Sequence, residues 1–531
     1  MAPGLLFVYM APKPTLPLTQ FHEWYNNEHG PTRLRLPAIF PNGLRYASTD
    51  ALGPPFLAVY DVTSMDWMRE PVYTGLRANR SPREAATIAQ VAVDRRFYDL
   101  VATHASPGFV PAEQLSDAQA RGRVLVIEEV EVDGSGDAAA EQYIRGFSEE
   151  RALLLAKTGG WLRSRLFRTS TVQDTDDFGQ RNKFAVLHEF ERAGAWLNIE
   201  ASQGEEIVAS SIRSMELFYV FGPAPRDLEN LKALPFSSAT FQSADQKSLV
   251  TVPGPEGNLQ STIIALDGLT IPYQLEGNPG PDAPTVAFCN SLLTSFHMWD
   301  DFVDILKRDR PDLRILRYDH RGRGELPAAV PVSANHLADD LATVLDALRI
   351  DRLHALIGVS LGGVTTLNFA IRHPQRLARY IACDFNTCGS AVNTAAWQER
   401  TVLAEADGGS GIREKLAPAT VQRWFHPASM QKTAVVDKMT QMVSGNSLQG
   451  FRYGCQALWD YDLRPKMAGC KVPALFVAGE GDARGKFLTI MKAYEEQVGF
   501  DKAEFRAVPK TGHLPMTEDA EAFWAVVKDF V

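Results

Sequence analysis

The chain has 531 residues, a formal net charge of −10 and a 45% share of apolar residues, which is ordinary for a globular protein. This length exceeds what one hydrophobic core supports, so two to four domains are expected. The acidic balance offers no basic patch, which argues against nucleic acid as a partner, and no apolar run reaches the roughly 18 residues that span a bilayer.

The apolar start of the chain and the cysteines both indicate the cellular compartment of the protein. The apolar start, residues 4–10, has no basic segment before it and no cleavage site, so it predicts a first strand rather than a signal peptide. The cysteines are odd in number, lie in the C-terminal part and have spacings that suit neither zinc nor a disulfide framework. They are Cys289, Cys383, Cys388, Cys455 and Cys470. We expect reduced, mostly buried thiols, no metal and a cytoplasmic protein without a membrane partner.

Residues 1–112 and 120–223 carry the same order of predicted elements. Each has strand, helix, strand, strand and a final strand in the order of the ferredoxin-like βαββαβ arrangement. Because the repeat is internal, the two segments are expected to form one structural unit together and not two separate domains. Two such repeats, each with one open sheet face, can bury those faces together in a single closed barrel.

The first predicted helix carries a cluster of aromatic and polar side chains. It contains Trp24, Tyr25 and His29 in the pattern F-x-x-W-Y-x-x-x-H-G-P. This stretch resembles the EthD-like family of dimeric α+β barrels, whose relatives include cyclases, isomerases and decarboxylases. The resemblance implies a second site at His29, although aromatic residues at this spacing more often form core. In the second repeat Arg151 stands at the histidine position, which predicts that this repeat has no activity of its own.

Residues 224–260 are rich in proline, glycine, serine and glutamine, and we expect a linker packed on the surface. Residues 261–531 then alternate apolar β runs with helical periods, as a doubly wound parallel sheet requires. A hairpin is expected to open this half at Asp267-Gly268. A mostly helical insertion is expected at about 390–465, where it would form a lid over the sheet.

The sharpest motif of this half is Gly358-x-Ser360-x-Gly362, between a strand pattern and a helix pattern. A serine on such a tight turn is typical of a nucleophile elbow, in which the hydroxyl is exposed above a sheet. A Cβ at either glycine would collide with neighbouring backbone. The motif also occurs in ordinary glycine-rich turns, so its meaning depends on a base and an acid elsewhere in the chain.

A serine hydroxyl is a weak nucleophile that needs an adjacent base, and the base needs an orienting acid. In α/β-hydrolases these follow in the order serine, acid, histidine, each on a loop after a strand. His513 follows the last predicted strand, and Asp482 follows the strand before it. Asp384 and, more weakly, Glu480 are rival acids. The sequence therefore predicts a catalytic triad of Ser360, His513 and Asp482.

The tetrahedral intermediate of acyl transfer needs N–H donors that are already in place. The N–H of Leu361 is expected to be one of them, since it follows the nucleophile at the start of a helix. The second is expected from Leu292, in the loop after the strand at residues 285–289. The side chains of Asn290 and Ser291 would line this oxyanion hole.

Residues 265–531 resemble 3-oxoadipate enol-lactonases in several motifs beyond the triad. These are N-S-L at 290–292, R-Y-D-H-R-G-R-G at 317–324, R-W-F at 423–425 and G-F-R-Y-G-C at 450–455. The resemblance implies a small-molecule ester or enol lactone as substrate and no cofactor. The bulky residues Trp299, Trp424 and Trp459 favour a larger or more aromatic substrate than a small dicarboxylate lactone, and plain packing is the alternative role for them.

The sequence thus predicts an α/β-hydrolase fold preceded by a tandem ferredoxin-like α+β barrel. Its predicted function is that of a serine hydrolase. Chemistry in the N-terminal barrel, C–C bond hydrolysis by the same triad, and an N-terminal half that only binds or dimerises are the alternatives. If the N-terminal half dimerises, a homodimer is the expected assembly.

Overall fold

Two units make up the chain in the computed structural model, residues Met1–Val252 and Pro253–Val531. The structure describes residues 2–50, 52–132, 137–172, 184–194, 207–234, 240–245, 249–251, 257–499 and 503–531. Most of the proline- and glycine-rich stretch at residues 253–257, inside the segment expected to be a linker, lies outside the described residues.

The first unit is built around a closed barrel of eight strands. The strands are β1 (Gly4–Pro12), β2 (Leu44–Ser48), β3 (Phe56–Val62), β4 (Val91–Ala105), β5 (Val124–Val132), β6 (Trp161–Thr169), β7 (Phe184–Phe190) and β8 (Ile207–Val220). Around the barrel they run in the order β1-β3-β2-β8-β5-β7-β6-β4. Each repeat contributes four strands in the same order, and antiparallel pairing of β2 with β8 and of β4 with β6 joins the repeats. The closed barrel predicted from the repeat is confirmed, and its ferredoxin-like identity stays a prediction.

Short helices surround this barrel. They are α1 (Leu18–Trp24), α2 (Gly30–Leu34), α3 (Pro71–Ala78), α4 (Pro82–Ile88), α5 (Asp117–Ala120), α6 (Asp137–Leu155) and α7 (Leu228–Lys232), with a π-helical turn at Tyr25–His29 and 3₁₀ turns at Met65–Arg69 and Ala112–Gln114. The π-helical turn joins α1 to α2 without a break, so the predicted first helix is one bent element. An antiparallel pair, β9 (Thr240–Gln242) and β10 (Leu249–Thr251), ends the unit.

Part of the segment expected to be a linker is folded into the first unit. Leu228 and Leu231 of α7 are 1% and 0% exposed. Asp227, at the N-cap of α7, accepts a hydrogen bond of 2.7 Å from Asn26 Nδ2. Burial of the apolar face of a short helix and a buried polar bond therefore hold residues that composition alone assigns to a connection.

The second unit contains a mostly parallel sheet of eight strands. They are β11 (Leu259–Ile264), β12 (Thr270–Gly277), β13 (Thr285–Cys289), β14 (Arg314–Tyr318), β15 (Ala355–Val359), β16 (Tyr380–Cys383), β17 (Ala474–Gly479) and β18 (Glu504–Val508). Their order is β11-β12-β14-β13-β15-β16-β17-β18. The predicted hairpin forms from β11 and β12, and β13 to β18 pair in parallel. All the carboxyl ends of the parallel strands therefore meet at one edge, where ligand sites of such sheets lie.

Helices cover the sheet and supply the lid. They are α8 (Asp300–Asp309), α9 (Ala334–Ala347), α10 (Leu361–Arg372), α11 (Ala391–Glu405), α12 (Ala417–Trp424), α13 (Thr433–Ser444), α14 (Leu448–Gly454), α15 (Arg464–Met467), α16 (Lys486–Lys492), α17 (Pro515–Glu518) and α18 (Ala520–Val527), with a π-helical turn at Ile412–Leu416 and 3₁₀ turns at Phe296–Trp299, Pro374–Arg376, Ala406–Gly409, Ser429–Gln431, Cys455–Leu458, Asp482–Gly485 and Ala493–Glu496. The insertion predicted at about 390–465 is indeed helical, from α11 to α14. Residues 361–370 of α10 are all buried, which fixes the helix that follows Ser360.

The structure gives the state of the cysteines and the grouping of side chains that could bind a metal. All five cysteines are described and free; Cys388 is half-buried and the other four are buried. Within the described ranges, no group of three or more His, Cys, Asp or Glu side chains could hold a metal ion. In the same part of the chain, no helix combines the length and the apolar character needed to cross a membrane.

Candidate active site

Ser360 lies on a sharp turn between β15 and α10, with φ 60° and ψ −118°. A residue other than glycine in this region costs about 1–3 kcal/mol, so surrounding contacts must hold it there. Its N–H donates a 2.9 Å hydrogen bond to the carbonyl of Cys383, at the end of β16. The turn thus carries the geometry of a nucleophile elbow.

The two glycines of the elbow are required by close backbone approach. A Cβ at Gly358 would lie 2.2 Å from the carbonyl oxygen of Gly362. A Cβ at Gly362 would lie 2.0 Å from the carbonyl oxygen of Cys289, at the end of β13. The loop after β13 therefore packs directly on the first turn of α10, and this brings the two expected oxyanion donors to one place.

The loop that carries Leu292 is held by a tight local turn. Thr294 Oγ1 donates a 2.8 Å hydrogen bond to the carbonyl of Ser291. Leu293, between them, has a φ of 70°, a region that favours glycine. Leu361 is the first residue of α10, so its N–H has no acceptor within the helix and is free to donate to a ligand.

His513 and Asp482 form a bonded pair at the same edge of the sheet. Nδ1 of His513 lies 2.8 Å from Oδ2 of Asp482. The imidazole also stacks on the ring of Trp424, with 5.9 Å between ring centroids and 26° between planes. The N–H of His513 donates a 2.7 Å hydrogen bond to the carbonyl of Trp424. The lid residue Trp424 therefore holds the histidine by both its ring and its backbone.

Glu518 fixes the backbone on both sides of the histidine, a role that sequence reasoning missed. Its Oε1 accepts hydrogen bonds from the N–H groups of Gly512 (2.8 Å) and Leu514 (3.3 Å). Its Oε2 accepts one of 2.8 Å from the N–H of His426 in the lid. Burial raises the pKa of the Glu518 carboxyl, and these three N–H donors stabilise its charged form.

The rival acids have other partners. Asp384 is buried, and its carboxyl accepts a 3.0 Å hydrogen bond from the N–H of Gly479 and bonds to the side chain of Asp482. Burial and the neighbouring charge of Asp482 raise the pKa of Asp384 well above its ordinary value. Glu480 is exposed and accepts a hydrogen bond from the N–H of Lys510. Of the three candidate acids, all among the described residues, Asp482 alone bonds the imidazole.

A cavity of about 220 Å³ connects these groups. Six of the residues singled out in the sequence line it: Leu292, Ser360, Asp384, Trp424, Asp482 and His513. The nucleophile candidate, the imidazole and its carboxylate partner therefore share one small space under the lid. Leu361 is buried behind the elbow, as expected of a residue that offers its backbone.

Four other residues that were predicted to contact the substrate do not line this cavity. Trp299 Nε1 donates a 2.9 Å hydrogen bond to Asn290 Oδ1, and both residues are buried. Asn290 Nδ2 donates in turn to the carbonyl of Tyr318 at 2.8 Å, so this pair braces the loop instead of facing the cavity. Ser291 is fully buried. Trp459 lies in a separate depression of the lid, whose wall it forms with residues 389–391.

Two arginines of the lid reach the cavity, and sequence reasoning assigned neither of them to it. Arg400 on α11 and Arg423 on α12 line the same wall as Ser360. The guanidinium of Arg400 lies over the ring of Trp397, 4.3 Å from its centroid, and Trp397 also lines the cavity. Trp397 and Arg400 are one helical turn apart, and this spacing could have indicated in the sequence that they share one face of α11.

His29, the candidate second site, lies in the first unit. Its Nδ1 is 2.6 Å from Oε1 of Glu84, and both side chains are buried. Its ring packs between Trp24 and Tyr25, with centroid distances of 4.9 Å and 4.7 Å. Burial, and then the charge of Arg33, lower the pKa of His29 to about 4, so the imidazole is neutral at pH 7. In the second repeat, the side chain of Arg151 lies 3.8 Å from Glu128 instead.

Comparison with known proteins places the second unit. Residues 284–520 match the family model of the alpha/beta hydrolase fold. The 3-oxoadipate enol-lactonase 2 of Acinetobacter baylyi is 30% identical over 276 residues, which are 51% of this chain and 95% of that protein. The enol-lactonase 1 of the same organism is 29% identical over 265 residues, 50% of this chain and 94% of that protein.

One solved structure is also similar to this chain. The enol-lactonase from Burkholderia xenovorans is 29% identical, with 51% of this chain and 98% of that chain covered and a TM-score of 0.45. Nearly the whole length of each relative thus aligns with the second unit. The chain belongs to the α/β-hydrolase family, and the protein is a hydrolase.

Proposed function

We propose that the protein is a serine hydrolase that cleaves a small ester or lactone through an acyl-enzyme. Ser360 is the nucleophile, His513 the general base and Asp482 the acid that orients it. The 2.8 Å contact between His513 Nδ1 and Asp482 Oδ2, at the wall of the cavity that contains Ser360, carries this proposal. The same constellation performs acyl transfer on several unrelated folds.

Each step follows from these three side chains. Asp482 keeps the proton on Nδ1 of His513, which leaves Nε2 to accept the proton of the Ser360 hydroxyl as its Oγ attacks the carbonyl carbon. His513 then returns that proton to the leaving oxygen, and the acyl group stays on the serine. A water molecule repeats the sequence on the acyl-enzyme and releases the acid.

The negative oxygen of the intermediate requires two N–H donors. The N–H groups of Leu361 and Leu292 are the proposed pair, since one begins α10 and the other belongs to the loop that packs on that turn. The positive end of the α10 dipole also stabilises the negative charge of this oxygen. Asn290 and Trp299 support this role by bracing the loop.

The relatives named above and the size of the cavity indicate the substrate class. Its 220 Å³ is below the roughly 300–1,000 Å³ of sites for drug-sized ligands. A small ester or enol lactone fits this space better than the larger aromatic substrate expected from the sequence. That expectation depended on Trp299, Trp424 and Trp459, and of these Trp424 lines the cavity. The same triad could hydrolyse a C–C bond, which product analysis with a 1,3-diketone would distinguish.

A second candidate function lies in the first unit, which we propose to be a tandem ferredoxin-like barrel of the EthD-like kind. The strand order shared by its two halves supports this assignment. The bonded pair of His29 and Glu84 favours proton-transfer chemistry such as isomerisation. We further propose a cytoplasmic protein, with homodimer formation as the other role of this unit.

A covalent probe tests the triad directly. A fluorophosphonate should add once to the protein, on the peptide that contains Ser360, as detected by mass spectrometry. His513→Gln should slow the reaction at least about a hundredfold, since general-base catalysis supplies that much. His29→Gln is the matched control and should react at the wild-type rate. Labelling of Ser360→Ala at an undiminished rate would overturn the assignment, and a panel of esters and lactones would then define the substrate.

A further inference from the structure

Two spaces in the second unit lie on either side of one tyrosine of the lid. The catalytic cavity of about 220 Å³ is lined by Ser360 and His513, and a depression of about 600 Å³ lies beside it in the lid. Tyr461 lines both of them. The larger space is therefore separated from the nucleophile by a wall to which the half-buried side chain of Tyr461 belongs.

Helix α11 forms another part of this wall, because its two faces border different spaces. One set of its residues lines the cavity and a second set lines the depression, and each set contains residues three or four positions apart, as one side of a helix requires. The first set is Asn393, Trp397 and Arg400, and the second is Thr394, Ala395 and Gln398. The two spaces are thus separated by the width of one helix and, next to it, by Tyr461.

Backbone contacts hold the part of the wall next to Tyr461. The N–H of Gly389 donates a 2.8 Å hydrogen bond to the carbonyl of Tyr461. Thr394 Oγ1 donates one of 3.2 Å to the carbonyl of Trp459. A Cβ at Gly389 would lie 2.2 Å from that same carbonyl oxygen, so the two segments are in close contact. They are therefore fixed to each other, and the group in this wall that a substitution can remove without moving backbone is the ring of Tyr461.

One hydrogen bond sets the position of that ring. The hydroxyl of Tyr461 donates to the carbonyl of Asn386 at 2.7 Å, and Asn386 lines the catalytic cavity. Burial raises the pKa of the Tyr461 hydroxyl, so it stays a donor at neutral pH. The side chain is thus anchored at both ends, by its backbone in the wall and by its hydroxyl on the side of the cavity.

The lining of the depression favours a neutral aromatic group. The ring of Trp459 and the small side chains of Ala391 and Ala395 line it. The indole N–H of Trp459 is buried and has no partner in the described part of the chain, so it can donate to an oxygen of a ligand. Asp460 and Asp462 add negative charge, which disfavours an anionic group. A phenyl ring that entered this space would bury apolar area against Trp459.

We infer that Tyr461 is the specificity-determining residue that restricts the hydrolase to small substrates, because its ring keeps the far end of an ester or lactone out of the lid depression. This inference rests on the proposed function of Ser360. It also accounts for the difference between the sequence and the structure at Trp459. That ring suits the larger, aromatic substrate expected from the sequence, but it lies on the far side of Tyr461 from the cavity.

Three esters test this role. The small substrate is 4-nitrophenyl acetate; 4-nitrophenyl 5-phenylpentanoate carries a phenyl ring at the end of its acyl chain, and 5-phenylpentyl acetate carries the same ring on its alcohol. The readout is the ratio of kcat/KM for a long ester to kcat/KM for 4-nitrophenyl acetate. In Tyr461→Ala this ratio should rise by about 10- to 100-fold over wild type for at least one long ester, the value of burying a phenyl ring. The ester that gains shows which side of the substrate reaches the depression.

The matched control is Tyr453→Ala, which makes the same change at another half-buried tyrosine of the lid, on α14. Among the described residues, Tyr453 belongs to the lining of neither space, so its variant should keep the wild-type ratio. An equal rise in Tyr453→Ala, or a wild-type ratio for both long esters in Tyr461→Ala, would overturn the inference. If the alanine variant does not fold, Tyr461→Leu takes its place, with the same expected rise and the same contrary result.

A second change locates the gain. Ala395→Trp, added to Tyr461→Ala, fills the depression from the exposed face of α11 and should return the ratio to within about threefold of wild type. A gain that survives this change would show that the long chain lies elsewhere, and it would overturn the role of Tyr461 as the wall of the depression. Turnover of the esters that survives in Ser360→Ala would instead overturn the proposed function, whatever the ratio in the Tyr461 variants.

Discussion

The molecule holds two imidazole–carboxylate pairs that are nearly alike at close range. In the first unit, His29 Nδ1 lies 2.6 Å from Glu84, and in the second, His513 Nδ1 lies 2.8 Å from Asp482. The two histidine side chains are 10% and 13% exposed, and their carboxylate partners are 4% and 7% exposed. By distance and burial alone, the two pairs could not be told apart.

Their surroundings separate them. His29 is enclosed by two aromatic rings on its own bent helix. His513 stands on a loop after a strand and shares a cavity with a serine held at a strained turn. The comparison teaches that a bonded histidine indicates catalysis when a nucleophile and an open volume accompany it, because the pair by itself also serves as a way of burying a polar side chain.

The largest expected difference between the two units is in the effect of replacing Ser360 or His29. Ser360→Ala should lower kcat for 4-nitrophenyl acetate by about 10⁴-fold or more, because it removes the attacking oxygen. His29→Ala should leave kcat within about twofold. Steady-state kinetics on both variants, with circular dichroism to verify folding, would check this. A large loss in His29→Ala with an intact fold would show that the two units act on one reaction.

The two carboxylates offer a slightly smaller contrast. Asp482→Asn should lower kcat by about 10³- to 10⁴-fold, since an amide holds the imidazole in the wrong tautomer. Glu84→Gln makes the same change in the other pair and should leave ester hydrolysis unaffected. The same kinetic assay measures both. Similar values of kcat for the two variants would remove the distinction between the pairs.

A moderate effect of pH is expected on the stability of the first unit. Burial lowers the pKa of His29 to about 4 from an ordinary value of 6.5, so the unfolded state binds the proton first as the pH falls. The contribution of neutral His29 is complete above pH 6.5 and is lost between pH 6.5 and pH 4, by about 3 kcal/mol in total. Urea unfolding of wild type and His29→Gln across this range would measure it.

In that experiment the free energy of unfolding of the first unit should fall less steeply in His29→Gln than in wild type. The titrating groups other than His29 and its partner Glu84 act equally in both proteins, so they cancel and the difference reports the pair. Parallel curves for the two proteins would contradict a buried neutral imidazole at this position.

The smallest effect is expected from Asp384, the buried acid beside the proposed triad. Because burial and the charge of Asp482 favour the uncharged form of Asp384, Asp384→Asn replaces one neutral donor with another and should change kcat by less than about threefold. Asp384→Ala leaves Asp482 without that neighbour and should cost more, about tenfold. The ratio of the two variants at pH 7 is the measurement. A loss in Asp384→Asn as large as in Asp482→Asn would mean that Asp384 acts as a charged acid.

How far the sequence predicts this molecule depends on the range of the contacts involved. Strand β13 was predicted residue for residue, because a strand buried on both faces is a continuous apolar run. The order of Ser360, Asp482 and His513 along the chain also follows from local motifs. The closed barrel followed from an internal repeat, which needs no knowledge of distant contacts.

Contacts between distant segments could not be read in the same way. Glu518 resembles any surface glutamate until the fold brings its carboxylate to two N–H groups of the histidine loop. Trp299 and Asn290 satisfy each other's hydrogen bonds, which removes them from the cavity they were expected to line. The position of Arg400 at the wall of the cavity is likewise a property of the assembled lid and of no single segment.

The positive φ of Ser360 has a consequence for the evolution and engineering of this enzyme. A glycine at this position would adopt the same backbone without the strain of about 1–3 kcal/mol, and only part of this gain is offset by the roughly 0.5–1 kcal/mol of extra entropy that glycine loses on folding. Selection for stability alone would therefore remove the hydroxyl. Under the proposed mechanism the serine persists only while its reaction is needed, so this position is where thermostabilising mutagenesis and activity oppose each other most directly.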